Sequence, residues 1–310
     1  TPGRSFTHAH GRFPQGKPER TSPRVGLSLM PTEDFRRASL PLFQKQLVEC
    51  LEWTFDAGFD RAIPLWVENL LAQFSEQESL LGHSFFLSPM SLVRPTEIEE
   101  SLKKFSLACT LHKYQHISEH YGFFADSRHF DGAPLPMPYH ESLVKTLTAS
   151  LKDLSQAAGS NVAVGLENLA LAFSKEDIQA QGRLLKETLT TTNGFLVLDL
   201  HNLYCQMVNF NLTLSEILFY YPLELVEELH ISGGSWWEPE QTHSRRIRRD
   251  THDGSVPPQV MALIGEVQPL CPALKWIILE RMGGTICTRE DESEFVQQFM
   301  EIRQQVKSAK

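Results

Sequence analysis

A single (β/α)8 barrel is the fold class that the sequence predicts, on three observations. Short β-rich runs alternate with longer helical patterns from Val25 onward. The alternation repeats eight times in a chain of 310 residues. The first run, Val25-Gly26-Leu27-Ser28-Leu29, lacks the G-x-G-x-x-G turn that a doubly wound nucleotide-binding sheet would place after it.

Taken in order, the predicted strands span residues 25–29, 61–67, 80–87, 116–123, 162–167, 195–200, 225–231 and 275–280. Each is a short run rich in β-branched, aromatic or other apolar residues. Between them, residues 39–55, 96–114, 141–158, 175–190, 258–267 and 290–307 carry apolar residues near helical spacing, with polar faces suited to solvent. Two connections, 125–140 and 232–257, are unusually long, and long loops in compact domains are more often functional than idle. The first 24 residues are polar and rich in Pro, Gly and Arg. The expected organisation is therefore a flexible leader over 1–24 followed by one barrel domain over 25–310.

Composition narrows the function. With 41% hydrophobic and 22% charged residues the chain can build a large core, which excludes a disulfide-stapled miniprotein and a disordered tail. A formal net charge of -9 disfavours nucleic acid as partner, because phosphate-backbone binding needs clustered cations. The five cysteines, Cys50, Cys109, Cys205, Cys271 and Cys287, never form a C-x-x-C pair, so neither a disulfide framework nor a structural zinc site is expected. A reducing, cytoplasmic location follows as the simpler reading, and no stretch is long and apolar enough to suggest a membrane partner. The 12 histidines among so few cysteines direct attention to nitrogen and oxygen ligands.

Barrel chemistry is built at the C-terminal ends of the strands, and ionisable residues collect there from the third strand onward. His83 lies in the third, and Glu119-His120 in the fourth. Gly165-Leu166-Glu167-Asn168 ends the fifth, and Leu198-Asp199-Leu200-His201-Asn202 ends the sixth. The seventh reads Glu228-Leu229-His230-Ile231-Ser232-Gly233, the loop after it holds Asp250-Thr251-His252, and Glu280-Arg281 closes the eighth. Any one of these could be an ordinary hydrogen-bonded residue, and Glu167 or Glu280 could pair with a rim cation such as Arg281. Several carboxylates carried together into the interior would instead be severely destabilising without cations, and bound metal is the simplest neutraliser. Imidazole with carboxylate and no thiolate suits iron, zinc or manganese. Asp250 and His252, two apart, share one side of an extended segment, and a carboxylate such as Glu167 can bridge two ions.

These motifs in this order, from about Val25 to Arg281, resemble the multinuclear non-haem iron-dependent oxidative enzymes, the family of the methanobactin-biosynthesis oxidase. The resemblance implies one iron held by His83, His120 and Glu167. It implies a second held by Glu167, Asp199, His230 and Glu280, and a third site of Asn202, Asp250 and His252. Two or three irons would thus be the cofactor and dioxygen the co-substrate, with Glu167, Asp199 and His230 at the catalytic centre. The implied substrate is a ribosomally made precursor peptide, oxidised at or near cysteine, and the implied partner is a small protein that recognises the peptide leader.

The sequence departs from the family pattern at three places: Gly234 stands where many members have a second histidine, Glu119 where many have Asp, and His201 where Asn is frequent. In the 232–257 loop, Gly233-Gly234 precedes Trp236-Trp237 and the basic run Arg245-Arg246-x-Arg248-Arg249. Trp236, Trp237, Arg245 and Arg246 are candidates for gripping an acidic peptide, and the loop with Arg128 and His129 is a candidate opposite wall. Three other activities fit parts of the ligand pattern: a metal-dependent hydrolase of the apurinic-endonuclease kind, a sugar isomerase or epimerase, and a non-catalytic metal-binding protein.

Overall fold

A computed structural model describes residues 22–55, 62–84, 90, 95–125, 130–159, 162–238 and 245–308. Most of the leader expected over 1–24, together with Arg128 and His129, lies outside the described residues. The chain runs β1 (Arg24–Ser28), α1 (Glu33–Gln44), β2 (Cys50–Thr54), α2 (Leu65–Glu76), β3 (Leu80–Ser84), α3 (Pro95–Leu111) and β4 (Tyr114–His120). A small hairpin of β5 (Phe123–Ala125) and β6 (Phe130–Leu135) precedes α4 (Glu141–Ala158), β7 (Ala163–Glu167) and α5 (Lys175–Thr192). Then come β8 (Phe195–Asp199), α6 (Leu200–Phe210), α7 (Leu214–Leu218) and β9 (Val226–Ile231). A second hairpin, β10 (Trp236–Trp237) with β11 (Ile247–Arg248), leads to α8 (Pro258–Val267), β12 (Trp276–Leu279) and α9 (Arg289–Ser308).

Among the described residues eight strands close into one barrel in the order β1-β12-β9-β8-β7-β4-β3-β2, and every neighbouring pair is parallel. The expected (β/α)8 fold is therefore the observed one. Both long connections carry a hairpin on the side of the barrel where the strands end.

Strand alternation divides the side chains between two environments. Leu51, Leu80, Ile277 and Leu279 face outward into the large apolar shell that the helices cover. Their neighbours Cys50, Leu81, Trp276 and Ile278 form a separate small cluster inside the barrel. Going two residues further along three of these strands, the inward positions become ionisable, as Glu52, His83 and Glu280 follow Cys50, Leu81 and Ile278, while on β9 His230 follows the already ionisable Glu228. The barrel is thus plugged by apolar side chains at one end and polar at the other.

The second strand is a correction. The expected strand over 61–67 is not one: Arg61 lies outside the described residues, residues 62–64 are irregular, and α2 begins at Leu65 with Pro64 as its N-cap. Proline, with no N–H and a fixed φ, suits a helix start. The strand is Cys50–Thr54, inside the segment 39–55 read as helix. That helix stops at Gln44, Gln46 adopts a left-handed φ of 53°, and the Leu47 N–H turns back to the Leu42 carbonyl. Glu52 interrupts the apolar run of this strand because it points inward, and the interruption mimics a helical pattern. No helix among the described residues is long and apolar enough to cross a membrane.

Close approach requires glycine at one inward position of β1. A Cβ on Gly26 would lie 2.2 Å from the Cys50 carbonyl oxygen and 2.5 Å from its Sγ, and the backbone of a neighbouring strand cannot yield as a flexible side chain can. Gly26→Val is expected to destabilise the fold by about 2 kcal/mol or more, seen as a lower urea midpoint; an unchanged midpoint would contradict this packing.

Candidate metal centre

Three histidines from three strands converge on one carboxylate. Glu167, the last residue of β7, is 2% exposed. Its Oε2 lies 3.4 Å from His83 Nε2 and 3.2 Å from His120 Nε2, and its Oε1 lies 3.7 Å from His230 Nδ1. The His83 and His120 rings meet edge-on with centroids 4.6 Å apart, and His83 and His230 are 5.5 Å apart.

The outer nitrogen of each ring is tied down. The Ser118 hydroxyl donates to the Gly82 carbonyl and so accepts from His83 Nδ1–H at 2.7 Å. His120 Nδ1–H donates to the Ser84 carbonyl at 3.3 Å, and His230 Nε2–H to Glu52 Oε2 at 3.1 Å. These bonds leave the inner nitrogens facing the Glu167 carboxylate, which is how protein-held metal ligands are oriented.

Asp199 serves two elements at once. It ends β8 and caps α6, its Oδ1 accepting the Asn202 N–H at 2.5 Å, while Asn168 Oδ1 accepts its own N–H at 2.7 Å. Its Oδ2 is thereby left free to face the cluster. Glu280, just past β12, places Oε2 3.3 Å from His230 Nδ1 and 3.8 Å from His252 Nε2.

Ligand atoms within 4.8 Å of one another group as His83, His120 and Glu167; as Glu167, Asp199 and His230; as Asp199, His252 and Glu280; and as Glu52, Glu228 and His230. The first two groups contain residues expected together, with Glu167 shared between them. The third expected set is gathered differently. Asp250 Oδ1 does sit 2.9 Å from His252 Nε2, but the group that closes on His252 brings in Asp199 and Glu280. Asn202 donates to the Asn168 carbonyl at 2.8 Å and keeps a buried Oδ1.

His201 does not face the cluster. Its Nε2 accepts from Arg248 Nε–H at 3.1 Å, and since guanidinium can only donate, the ring proton lies on Nδ1 and is given to Asp250 Oδ1 at 3.0 Å. Gly234 makes room for this ring: a Cβ there would lie 2.7 Å from His201 Cε1 and 2.2 Å from the Arg249 carbonyl oxygen. Two of the departures from the family pattern are therefore one spatial arrangement.

The candidate peptide-gripping residues lie on the second hairpin. Trp236 pairs with Arg248 and Trp237 with Ile247 across β10 and β11. The Arg246 guanidinium sits 3.9 Å from the Trp236 ring centroid and 3.3 Å from Glu238, Arg245 donates to the Val208 carbonyl, and Trp237 is 44% exposed. Sequence reasoning missed Glu52, His116 and Glu228, which lie buried beneath the cluster. The signal was present as two-residue spacing, His116-x-Ser118-x-His120 and Glu228-x-His230, which aims alternate residues inward.

Electrostatics show how the bare cluster stays folded. Burial, then the neighbouring Asp250, Glu167 and Glu280, pushes Asp199 well above the usual carboxylate range. Burial and the surrounding imidazoles drive His83 well below the usual histidine range. Burial also opposes charge on His120, but Glu167 and Glu119 outweigh it and raise the ring to about 9. His230 and His252 are likewise raised against burial, by Glu280 with Glu52 and by Asp250 with Glu280.

A histidine raised in the folded state contributes stability below its unfolded value of 6.5 and loses it as pH rises through the folded value. The metal-free chain is therefore expected to lose stability from about pH 6.5 to 9, as a falling thermal midpoint; a rising midpoint over that window would contradict the assignment.

A cation fits this pocket. Glu167 Oε2, Asp199 Oδ2, Asn202 Oδ1, His230 Nδ1, His252 Nε2 and Glu280 Oε2 are buried and satisfied by no hydrogen bond among the described residues, and buried polar atoms are rarely left so. The donor set is nitrogen and oxygen throughout, suited to iron, zinc or manganese.

Residues 63–294 match the model of the family described as RiPP precursor modification enzyme MbnB/TglH/ChrH. A UPF0276 protein of Vibrio parahaemolyticus is 24% identical over 242 residues, covering 78% of this chain and 80% of that protein. One of Chromobacterium violaceum is 27% identical over 134 residues, covering 42% of this chain and 48% of that protein. The chain spans about half the length of the Chromobacterium and Acaryochloris marina relatives it matches.

Among solved structures, endonuclease IV of Thermus thermophilus superposes with a TM-score of 0.53 at 13% identity, covering 92% of this chain and 100% of that one. A xylose isomerase domain containing protein of Salmonella typhimurium gives 0.56 at 10% identity, covering 90% and 97%. These likenesses concern the barrel alone. The family match spans the strands and loops that bring Glu167 and the converging histidines together, and the chain belongs to the MbnB/TglH/ChrH family of RiPP precursor modification enzymes.

Proposed function

We propose that this chain is a multinuclear non-haem iron enzyme that uses dioxygen to modify a ribosomally made precursor peptide, at or beside a cysteine. The observation that carries the metal reading is the Glu167 carboxylate, with one oxygen toward His83 and His120 and the other toward His230. A carboxylate so placed would suit two ions that share it. One iron would be held by His83, His120 and Glu167, and a second by Glu167, Asp199, His230 and Glu280. A third would sit by Asp250, His252 and Asn202, where Asp199 and Glu280 also reach His252. Bound iron would supply the one-electron chemistry with dioxygen that protein side chains lack.

The remaining work falls to the chain's own residues. The Ser118 hydroxyl, the Ser84 carbonyl and Glu52 fix the rings of His83, His120 and His230. Asp199 is held by the α6 cap, so that its free oxygen cannot swing away. Arg248 and His201 steady Asp250 from the side of the hairpin. The peptide is taken between the β10–β11 hairpin and the barrel mouth, where Trp236 and Trp237 offer apolar surface and Arg245 and Arg246 positive charge. A small partner protein that binds the peptide leader completes the system in the cytoplasm. The hydrolase and isomerase readings share the fold of endonuclease IV and of the isomerase-like barrel, but need no dioxygen.

Protein prepared without oxygen and loaded with ferrous iron is expected to bind two or three equivalents, and to consume oxygen when given its cysteine-containing precursor peptide. Zinc alone at full occupancy, with no oxygen-dependent change in the peptide, would contradict the proposal. Metal loading should also strengthen as pH rises, because His120, His230 and His252 must lose protons that the metal-free protein holds; isothermal titration at pH 6 and pH 8, values about one unit either side of neutrality, reads this. Within the cluster, Glu167→Ala should remove iron from two sites and Asn202→Ala from one at most. Equal iron retention in both variants would contradict the bridge.

A further inference from the structure

Beneath the metal-facing side chains lies a second ionisable layer that the proposed chemistry does not use. Glu52, His116 and Glu228 are 0%, 2% and 0% exposed. Glu52 Oε2 lies 3.1 Å from His230 Nε2, and Glu228 Oε1 lies 3.5 Å from the same nitrogen. Glu228 Oε2 accepts from His116 Nε2–H at 2.6 Å, and the His116 ring stacks on Phe195 with centroids 4.3 Å apart. Two buried carboxylates are poor material for stability, since apolar residues of similar volume commonly do as well or better. Their strand neighbours show the alternative, since Leu81 beside Glu52 and Trp276 beside Glu228 belong to an apolar cluster with Cys50 and Ile278.

The histidines differ in what holds their outer nitrogens. His83 rests on a hydroxyl and His120 on a backbone carbonyl, with Glu119 Oε1 further off at 3.8 Å. On His230 the nearest acceptor is itself a carboxylate, with a second one behind it. A carboxylate that accepts the outer N–H of a ligating imidazole fixes its tautomer and ring orientation and makes its other nitrogen a stronger donor.

We infer that Glu52 is the positioning residue of the second metal set: it accepts the Nε2–H of His230 and keeps Nδ1 turned toward Glu167 and Glu280, where its lone pair would be offered to a cation. Glu228, braced by His116, lies near the same N–H, so the other tautomer would face two carboxylates with a bare lone pair. The two metal positions that share Glu167 are thereby made unequal, with the stronger imidazole donor on the His230 side. The inference rests on the proposed function only in requiring a cation at His230; it needs neither iron nor dioxygen.

The test is a Co2+ titration of the metal-free full chain, with chelator competition for affinity and the cobalt absorption bands for coordination, on native protein and on Glu52→Gln, Glu52→Leu and Ser118→Ala. Glu52→Gln is nearly isosteric and keeps an oxygen acceptor, so it guards against a failure to fold. It is expected to weaken one equivalent about tenfold, and Glu52→Leu about a hundredfold. Both should change the absorption of that equivalent while the His83 and His120 equivalent keeps its affinity. Ser118→Ala should do the reverse. Unchanged affinity and bands in Glu52→Gln and Glu52→Leu would overturn the role of Glu52, as would an equal loss at both equivalents, which marks a structural residue. A native chain that takes up no cobalt would overturn the inference together with the metal reading. A chain that binds cobalt in this pattern but, loaded with ferrous iron and given its peptide, consumes no oxygen would fail only the oxidase reading.

Discussion

Everything at the mouth of this barrel answers to one constraint, the burial of several carboxylates around Glu167. Glu52, Asp199 and Glu228 are fully buried, and Glu167 and Glu280 nearly so. Desolvated anions at this density need nearby positive charge or must take up protons. The metal-free chain uses both routes. His120, His230 and His252 are held protonated by their carboxylate neighbours, while Asp199 is pushed toward its neutral form. His83, crowded by the other imidazoles, goes the opposite way and presents a neutral ring. A set of groups whose proton affinities are driven so far apart is poised for a cation that would displace several protons at once.

Much of the fold was legible because strand alternation and helix spacing are local signals. Residues 141–158 and 258–267 were read with the bounds that the structure shows, and seven of the eight barrel strands fell where the apolar runs lay. The exception has a physical origin. Cys50–Thr54 carries Glu52 at its centre, and a strand that feeds a polar interior loses the apolar run by which buried strands are recognised. The same inward turn that hid the strand hid the residue. Glu167, His230 and Glu280 were legible because each follows or lies in a clear strand. The grouping around His252 was not, since Asp199 and Glu280 lie at the ends of the two strands that flank β9 while His252 comes from the long loop after it, and the three meet only through the pairing of β8, β9 and β12.

The rim shows how local chemistry ties the β10–β11 hairpin to the centre. Arg248 lies on the hairpin strand that pairs with Trp236, its backbone clamped by Asn209 at 2.8 Å and 2.9 Å. Its Nε–H fixes the His201 tautomer, and His201 in turn holds Asp250 beside His252. Gly234 is what lets that ring lie there. The hairpin that carries the aromatic and basic residues is thus hydrogen-bonded, side chain by side chain, to the outer edge of the cluster, so a change in the hairpin has a direct route to Asp250.

Glu167 is proposed to be shared by two metal ions inside the barrel. Anomalous diffraction from crystals of protein loaded with ferrous iron in the absence of oxygen tests it most directly. The account predicts two peaks flanking the Glu167 carboxylate, one beside His83 and His120 and the other beside His230 and Asp199, with any third peak beside His252. A single peak remote from Glu167, or none inside the barrel, would contradict it.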